Sequence, residues 1–288
     1  MIYIFVTITV LESFLLVIAF WKKIKHLLLR LTFSRKKKKL VQVKFFDEEN
    51  SWYSNVPFII LHGAGGLNQR KYNNSREGIC RGIDKNYKVI EVDISVTADR
   101  IPVLTHRFMP DDERIFEQRP LLSEFLSSGA LEGENAITLE LFIKDFSDSD
   151  PYYLIDCQHG TEDVVIEWFE KNTSKQQRQK VIFQVHSINS LKKVYHKSVF
   201  ANIHYNGSSM DVISNIKQLK KYNVHTCSMS DDEFTSNKED VLSIIGTGMH
   251  VFAFTINYER RLRKLVELGI SGCFSDFLSP DVFKNIKI

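Results

Sequence analysis

From residue 58 onward, short apolar runs alternate with stretches of helical period. Eight runs read as strands: FIILHG (58–63), KVIEVDISV (88–96), YYLIDCQ (152–158), KVIFQVHS (180–187), FANIHYN (200–206), VHTCSMS (224–230), HVFAFTIN (250–257) and GCFSDF (272–277). Helical patterns lie between most of them. TEDVVIEWFEKN (161–172) opens on Thr161 as an N-cap, and YERRLRKLVELG (258–269) closes on Gly269. This alternation predicts an α/β chain whose strands form a (β/α)8 TIM barrel. The rival is an open doubly wound sheet. That fold wants a glycine fingerprint opening a helix after the first strand, whereas the glycines at 63–66 are followed by Leu67 and Asn68.

A different pattern precedes the barrel. Residues 1–21, MIYIFVTITVLESFLLVIAFW, are mostly apolar and long enough to cross a bilayer. Glu12 is the one charge in this run, and a mid-span carboxylate is costly. Residues 22–39 then carry nine Lys and Arg and no acid. A signal peptide would place its basic residues before the apolar run, so an uncleaved transmembrane helix is expected. The cations follow the span, which puts the barrel on the cytoplasmic side of a single-pass membrane protein. The expected division is a transmembrane anchor at 1–21, a basic juxtamembrane segment and linker at 22–56, and the barrel at 57–288.

Charge and cysteine use narrow the function. The net charge of +3 comes from the neck, because residues from 40 onward hold 29 basic and 34 acidic side chains. An acidic body offers no second basic surface for nucleic acid. Cys80, Cys157, Cys227 and Cys273 show no paired spacing. They read as reduced, mostly buried apolar residues rather than a zinc site.

In a barrel of this kind chemistry gathers where the strands end. Those ends carry His62, Glu91 and Asp93, His106, Asp156 and Gln158, Gln184 and His186, His204 and Asn206, and Asp276. Period-two spacing puts Glu91 and Asp93 on one face of their strand. Two adjacent carboxylates repel unless a cation lies between them, so a divalent metal is expected. Oxygen-only ligation points to Mg²⁺ or Ca²⁺. His186, His204, His225 and His250 read as structural. His159 is kept as a supporting candidate beside Asp156.

Several stretches together carry a family resemblance: His62 with its glycines, NNS (73–75), EVD (91–93), LTH (104–106), ITLELF (137–142) and FAFTINYERRLRKLVELGISGCFSDF (252–277). Residues 57–284 resemble the glycerophosphodiester phosphodiesterases of the phosphatidylinositol-phospholipase-C-like barrel superfamily. The resemblance implies a metal-dependent hydrolase of glycerophosphodiester-type or lipid-linked phosphodiester bonds. It implies His62 and His106 as the acid/base pair and Glu91, Asp93 and Asp156 as metal ligands. A substrate hydroxyl would attack first, giving a cyclic phosphate. Gly63, Arg107 and Gln158 fall at substrate-binding positions, where the family has Arg, Asp and Lys respectively. The loss of two expected cations keeps open a catalytically weak barrel that binds a phosphorylated glycan or lipid at the membrane.

Overall fold

The computed structural model describes residues 51–66, 71, 74–106, 108, 119–127 and 136–285. All eight expected strands form, as β1 (Phe58–Leu61), β2 (Val89–Val96), β4 (Tyr152–Cys157), β5 (Val181–Val185), β6 (Asn202–Asn206), β7 (Thr226–Ser230), β8 (His250–Phe254) and β9 (Gly272–Ser275). Most are buried runs rich in β-branched and aromatic residues, which pleated backbone accommodates well, with β7, TCSMS, the more polar exception. Neighbours pair in parallel in the order β1-β9-β8-β7-β6-β5-β4-β2, and β1 also pairs with β2. That last pairing closes the sheet into a barrel and excludes the open alternative.

Closure depends on one glycine. Gly272 stands opposite Phe58 on one side and Phe252 on the other. Its φ is +148°, and a Cβ there would lie 2.1 Å from the Phe58 carbonyl oxygen. Only glycine fits this seam without moving backbone.

One strand was not expected. β3 (Pro102–Leu104) runs antiparallel to the end of β2, with Ile94 opposite Leu104 and Val96 opposite Pro102. It extends β2 past the barrel rim and folds the chain back toward Asp93, whose carbonyl accepts from the Thr105 N–H at 3.0 Å.

The N-terminal mouth of the barrel is filled by Trp52, which is 2% exposed and stacks on Phe252 at 5.8 Å. Phe58, Ile60, Val89, Leu154, Ile182 and Phe274 complete that core layer. The end of the stretch read as linker therefore packs with the barrel, which belongs to the unit Glu49–Ile288. The expected membrane span at 1–21 and most of the juxtamembrane segment lie outside the described residues. Among the described residues no helix is long and apolar enough to cross a membrane.

Candidate active site

Strand register assembles the carboxylates. Asp93 on β2 pairs with Asp156 on β4, so two acids meet side by side, and Glu91 lies two residues earlier on the same face of β2. One oxygen from each of Glu91, Asp93 and Asp156 lies within 4.8 Å of the others. Glu91 and Asp93 are buried, and Asp156 is partly exposed. Burial, then the charges of Asp93 and Asp156, push the Glu91 pKa well above the carboxylate range. Burial and Asp156 also raise Asp93, against the opposing pull of His106, Asn74 and His62. Three acids in this space want a cation. With oxygen donors alone, the set fits a hard divalent ion such as Mg²⁺ or Ca²⁺.

Each carboxylate is held by a different donor. Gly63 donates its N–H to Glu91 Oε2. Its carbonyl accepts from the Asn74 N–H at 2.8 Å, so both polar groups of this residue serve the scaffold of the site. The turn that permits this has Gly63 at φ 52° and Gly65 at φ 84°, where glycine carries no steric penalty. Asn74 binds Asp93 twice: its Nδ2 donates to Oδ2 at 2.8 Å, and its Oδ1 accepts from the Asp93 N–H at 2.8 Å. His186 Nε2 lies 2.7 Å from Asp156 Oδ1. Burial works against the charge on His186, but the hydrogen bond and charge of Asp156 outweigh it and raise its pKa.

His62 follows β1 directly, and Asp276 follows β9 directly. Leu61 pairs with Ser275, so the next residues face each other. His62 Nδ1 is 2.9 Å from Asp276 Oδ1. Asn257 donates to the other Asp276 oxygen at 2.7 Å, and its own side-chain oxygen accepts from the Asp276 N–H at 2.9 Å. Burial would raise the Asp276 pKa, but the hydrogen bonds from His62 and Asn257 more than offset it and hold the carboxylate low. His106, just beyond β3, is near enough to Asp93 for its charge to favour the ionised carboxylate, as is His62.

The structure thus brings together His62, His106, Glu91, Asp93 and Asp156. Gln158 sits exposed just past β4, its N–H donating to the Ile94 carbonyl at 2.9 Å. Arg107 lies outside the described residues. His159 is exposed just past β4 and makes no contact with the site among the described residues. The structural reading of His186 is incomplete, because it touches a site carboxylate. Asn74 and Asn257 have positions that only the fold reveals, although both fall inside the stretches that carry the family resemblance. His204 is indeed a core group. It is fully buried against Trp52, and burial followed by His186 drives its pKa down to about 3.

Solved structures share the architecture of this barrel. A phosphodiesterase of Oleispira antarctica, in complex with the product sn-glycerol-3-phosphate, is 21% identical with a TM-score of 0.63, the match covering 82% of this chain and 98% of that one. A glycerophosphodiester phosphodiesterase from Parabacteroides distasonis is 17% identical with a TM-score of 0.62, over 80% and 96% of the two chains. The glycerophosphodiester phosphodiesterase of Thermotoga maritima is 19% identical with a TM-score of 0.59, over 80% and 98%. The fold is that of the glycerophosphodiester phosphodiesterases. No family model matches the sequence, and no curated protein does. In this fold His62, Glu91, Asp93, Asp156 and His106 all lie at the C-terminal end of the barrel, where such enzymes place their chemistry.

Proposed function

We propose that the chain is a membrane-anchored, metal-dependent phosphodiesterase that cleaves glycerophosphodiester-type or lipid-linked phosphodiester bonds. The observation that carries this reading is the meeting of three carboxylates within 4.8 Å, with two imidazoles close enough to bias the ionisation of Asp93.

A phosphodiester is already anionic, and attack by a hydroxyl builds further negative charge on its oxygens. Glu91, Asp93 and Asp156 would hold the divalent ion, which supplies charge neutralisation and aligns the nucleophile when bound. The remaining work falls to the imidazoles. Asp276 holds His62 at Nδ1, which leaves Nε2 to exchange a proton with the reacting oxygen. One imidazole takes the proton of the attacking hydroxyl as the new P–O bond forms. The other gives a proton to the leaving oxygen as the old P–O bond breaks. A second substrate hydroxyl suits the first role, giving a cyclic phosphate.

Anchoring rests on the apolar run at 1–21 and the nine cations that follow it. Together they support a single span with the barrel on the cytoplasmic side. A reporter fused after residue 288 that works only outside the cytoplasm would reverse that topology.

A second reading has its own support. Gly63 and exposed Gln158 stand where the resembled family carries cations that hold phosphate, so this barrel could bind a phosphorylated glycan or lipid with little turnover. One assay separates the two. The barrel from residue 41, given glycerophosphocholine, whose glycerol hydroxyl lies beside the phosphate, should release choline with Mg²⁺ or Ca²⁺ and stop with EDTA. The His62→Ala variant should be inert. Absent release would favour the binding reading, and metal-independent release would overturn the metal-dependent mechanism.

A further inference from the structure

We infer that His186 is a positioning residue that sets Asp156 for cation binding; this rests on the reading of Glu91, Asp93 and Asp156 as a metal site. The geometry comes from the barrel register. Ile155 pairs with Phe183, so Asp156 stands opposite Gln184, and His186 lies two residues further on the same face of the strand path. From there its ring reaches Asp156, with Nε2 2.7 Å from Oδ1. A side chain on a neighbouring position of β5 would point out of the barrel.

The three carboxylates differ in what they need. Glu91 and Asp93 are buried and fixed by the Gly63 N–H and by both ends of the Asn74 amide. Asp156 has no such cage. Its side chain is 24% exposed, and the hydrogen-bond partner that the described residues give it is His186. Repulsion from two buried acids pushes an untethered Asp156 toward water. A carboxylate has two oxygens. Holding Oδ1 from the rim side commits the rotamer and leaves the other oxygen for the ion. Donors that orient a metal-binding carboxylate in this way are commonly worth about 10–100-fold in metal affinity. An ordinary ion pair at the rim would instead contribute little stability and nothing to metal binding. The two roles therefore diverge in a measurement of affinity.

The test is titration of Mn²⁺ into the full-length protein in mild detergent, counting free ion by electron paramagnetic resonance. Mn²⁺ accepts the same oxygen donors and stays visible at weak affinity. His186→Phe should weaken binding about 10–100-fold. His186→Gln keeps a donor of similar reach without the ring, and should bind within about threefold of the wild type if the hydrogen bond is what matters. Thermal melts confirm that each variant is folded; the His186 side chain is 44% exposed, so both should be. Equal affinity in wild type and His186→Phe overturns the inference. So does a Gln variant as weak as the Phe variant, because the donor would then be irrelevant. Failure of the wild type itself to bind Mn²⁺ overturns the metal-site reading beneath it, and is a separate result from either of these.

Discussion

Nδ1 of His62 lies 2.9 Å from Oδ1 of Asp276, although 214 residues separate them along the chain. The pairing is a product of closure, since β1 meets β9 in parallel and both residues follow the last registered pair. Asp276 is buried, carries a lowered pKa and is locked by Asn257, so it is an ionised acceptor. It therefore fixes the proton on Nδ1 and makes Nε2 the basic nitrogen of the ring.

Asp276→Asn should break that arrangement without breaking the fold. The amide can present an N–H to Nδ1, which would favour the wrong tautomer. Turnover of a phosphodiester should fall by about 10²-fold or more, within the range that a single acid–base group supplies. Substrate affinity and melting temperature should change little. Turnover within about threefold of the wild type would show that His62 needs no such partner.

The carboxylate cluster makes a prediction about pH. Folding raises the Glu91 pKa well above its ordinary value, through burial first and then Asp93 and Asp156. The metal-free folded barrel therefore keeps a proton that the unfolded chain releases. Its stability is fullest below the ordinary carboxylate range and is lost as pH rises through the raised value, by at most about 1.4 kcal/mol per unit for one proton. His204 acts in the opposite sense, losing stability as pH falls from about 6.5 toward its lowered value of about 3. Comparing variants isolates Glu91. In EDTA, Glu91→Gln should gain in melting temperature over the wild type as pH rises from 5 to 8. Millimolar Mg²⁺ should restore the wild type and do little for the variant. A difference that stays constant with pH would mean that Glu91 does not titrate as argued.

Asn74 is predicted to be a structural keystone of the same cluster. It sits at φ 48°, and its amide serves both the side chain and the N–H of Asp93. Asn74→Ala removes both bonds and should cost about 2–4 kcal/mol in urea unfolding of the barrel. The left-handed backbone adds its own share. Asn74→Gly loses the same bonds without that strain, so it should be about 1 kcal/mol more stable than the Ala variant. Equal stability of the two would remove the backbone argument.

Much of this architecture was legible in the chain, and the gaps have physical causes. Eight strands stood out because barrel strands are buried on both faces and so read as continuous apolar runs. β3 did not, because three residues after a turn look like the tail of β2. Glu91 and Asp93 could be placed together from period two alone. The Asp93–Asp156 and His62–Asp276 contacts need cross-strand register, which a single sequence does not print. The same is true of His186, whose partner lies on another strand. Arg107 and the first 50 residues remain expectations, since they fall outside the described residues.

Trp52 illustrates the other kind of gap. It lies in an irregular stretch with no period to mark it, yet it is 2% exposed. Its indole stacks on Phe252 at 5.8 Å and meets His204 edge-on at 5.8 Å. Two further contacts fasten the same segment. Lys88 donates to the Ser54 carbonyl while its Nζ lies 5.1 Å from the centre of the Phe58 ring. The segment thus caps the end of the barrel away from the carboxylates, and removing it would open the core to water. Trp52→Ala should cost about 3–5 kcal/mol. For a barrel of this size that is roughly 6–20 °C in melting temperature. A protein beginning at residue 57 should lose at least as much, while one beginning at residue 49 should match one beginning at 41. Tyr53→Ala, on the partly exposed neighbour, should cost less than Trp52→Ala. If the chains beginning at 57 and at 41 melt together, Trp52 is a passenger on the barrel and the domain starts at β1 after all.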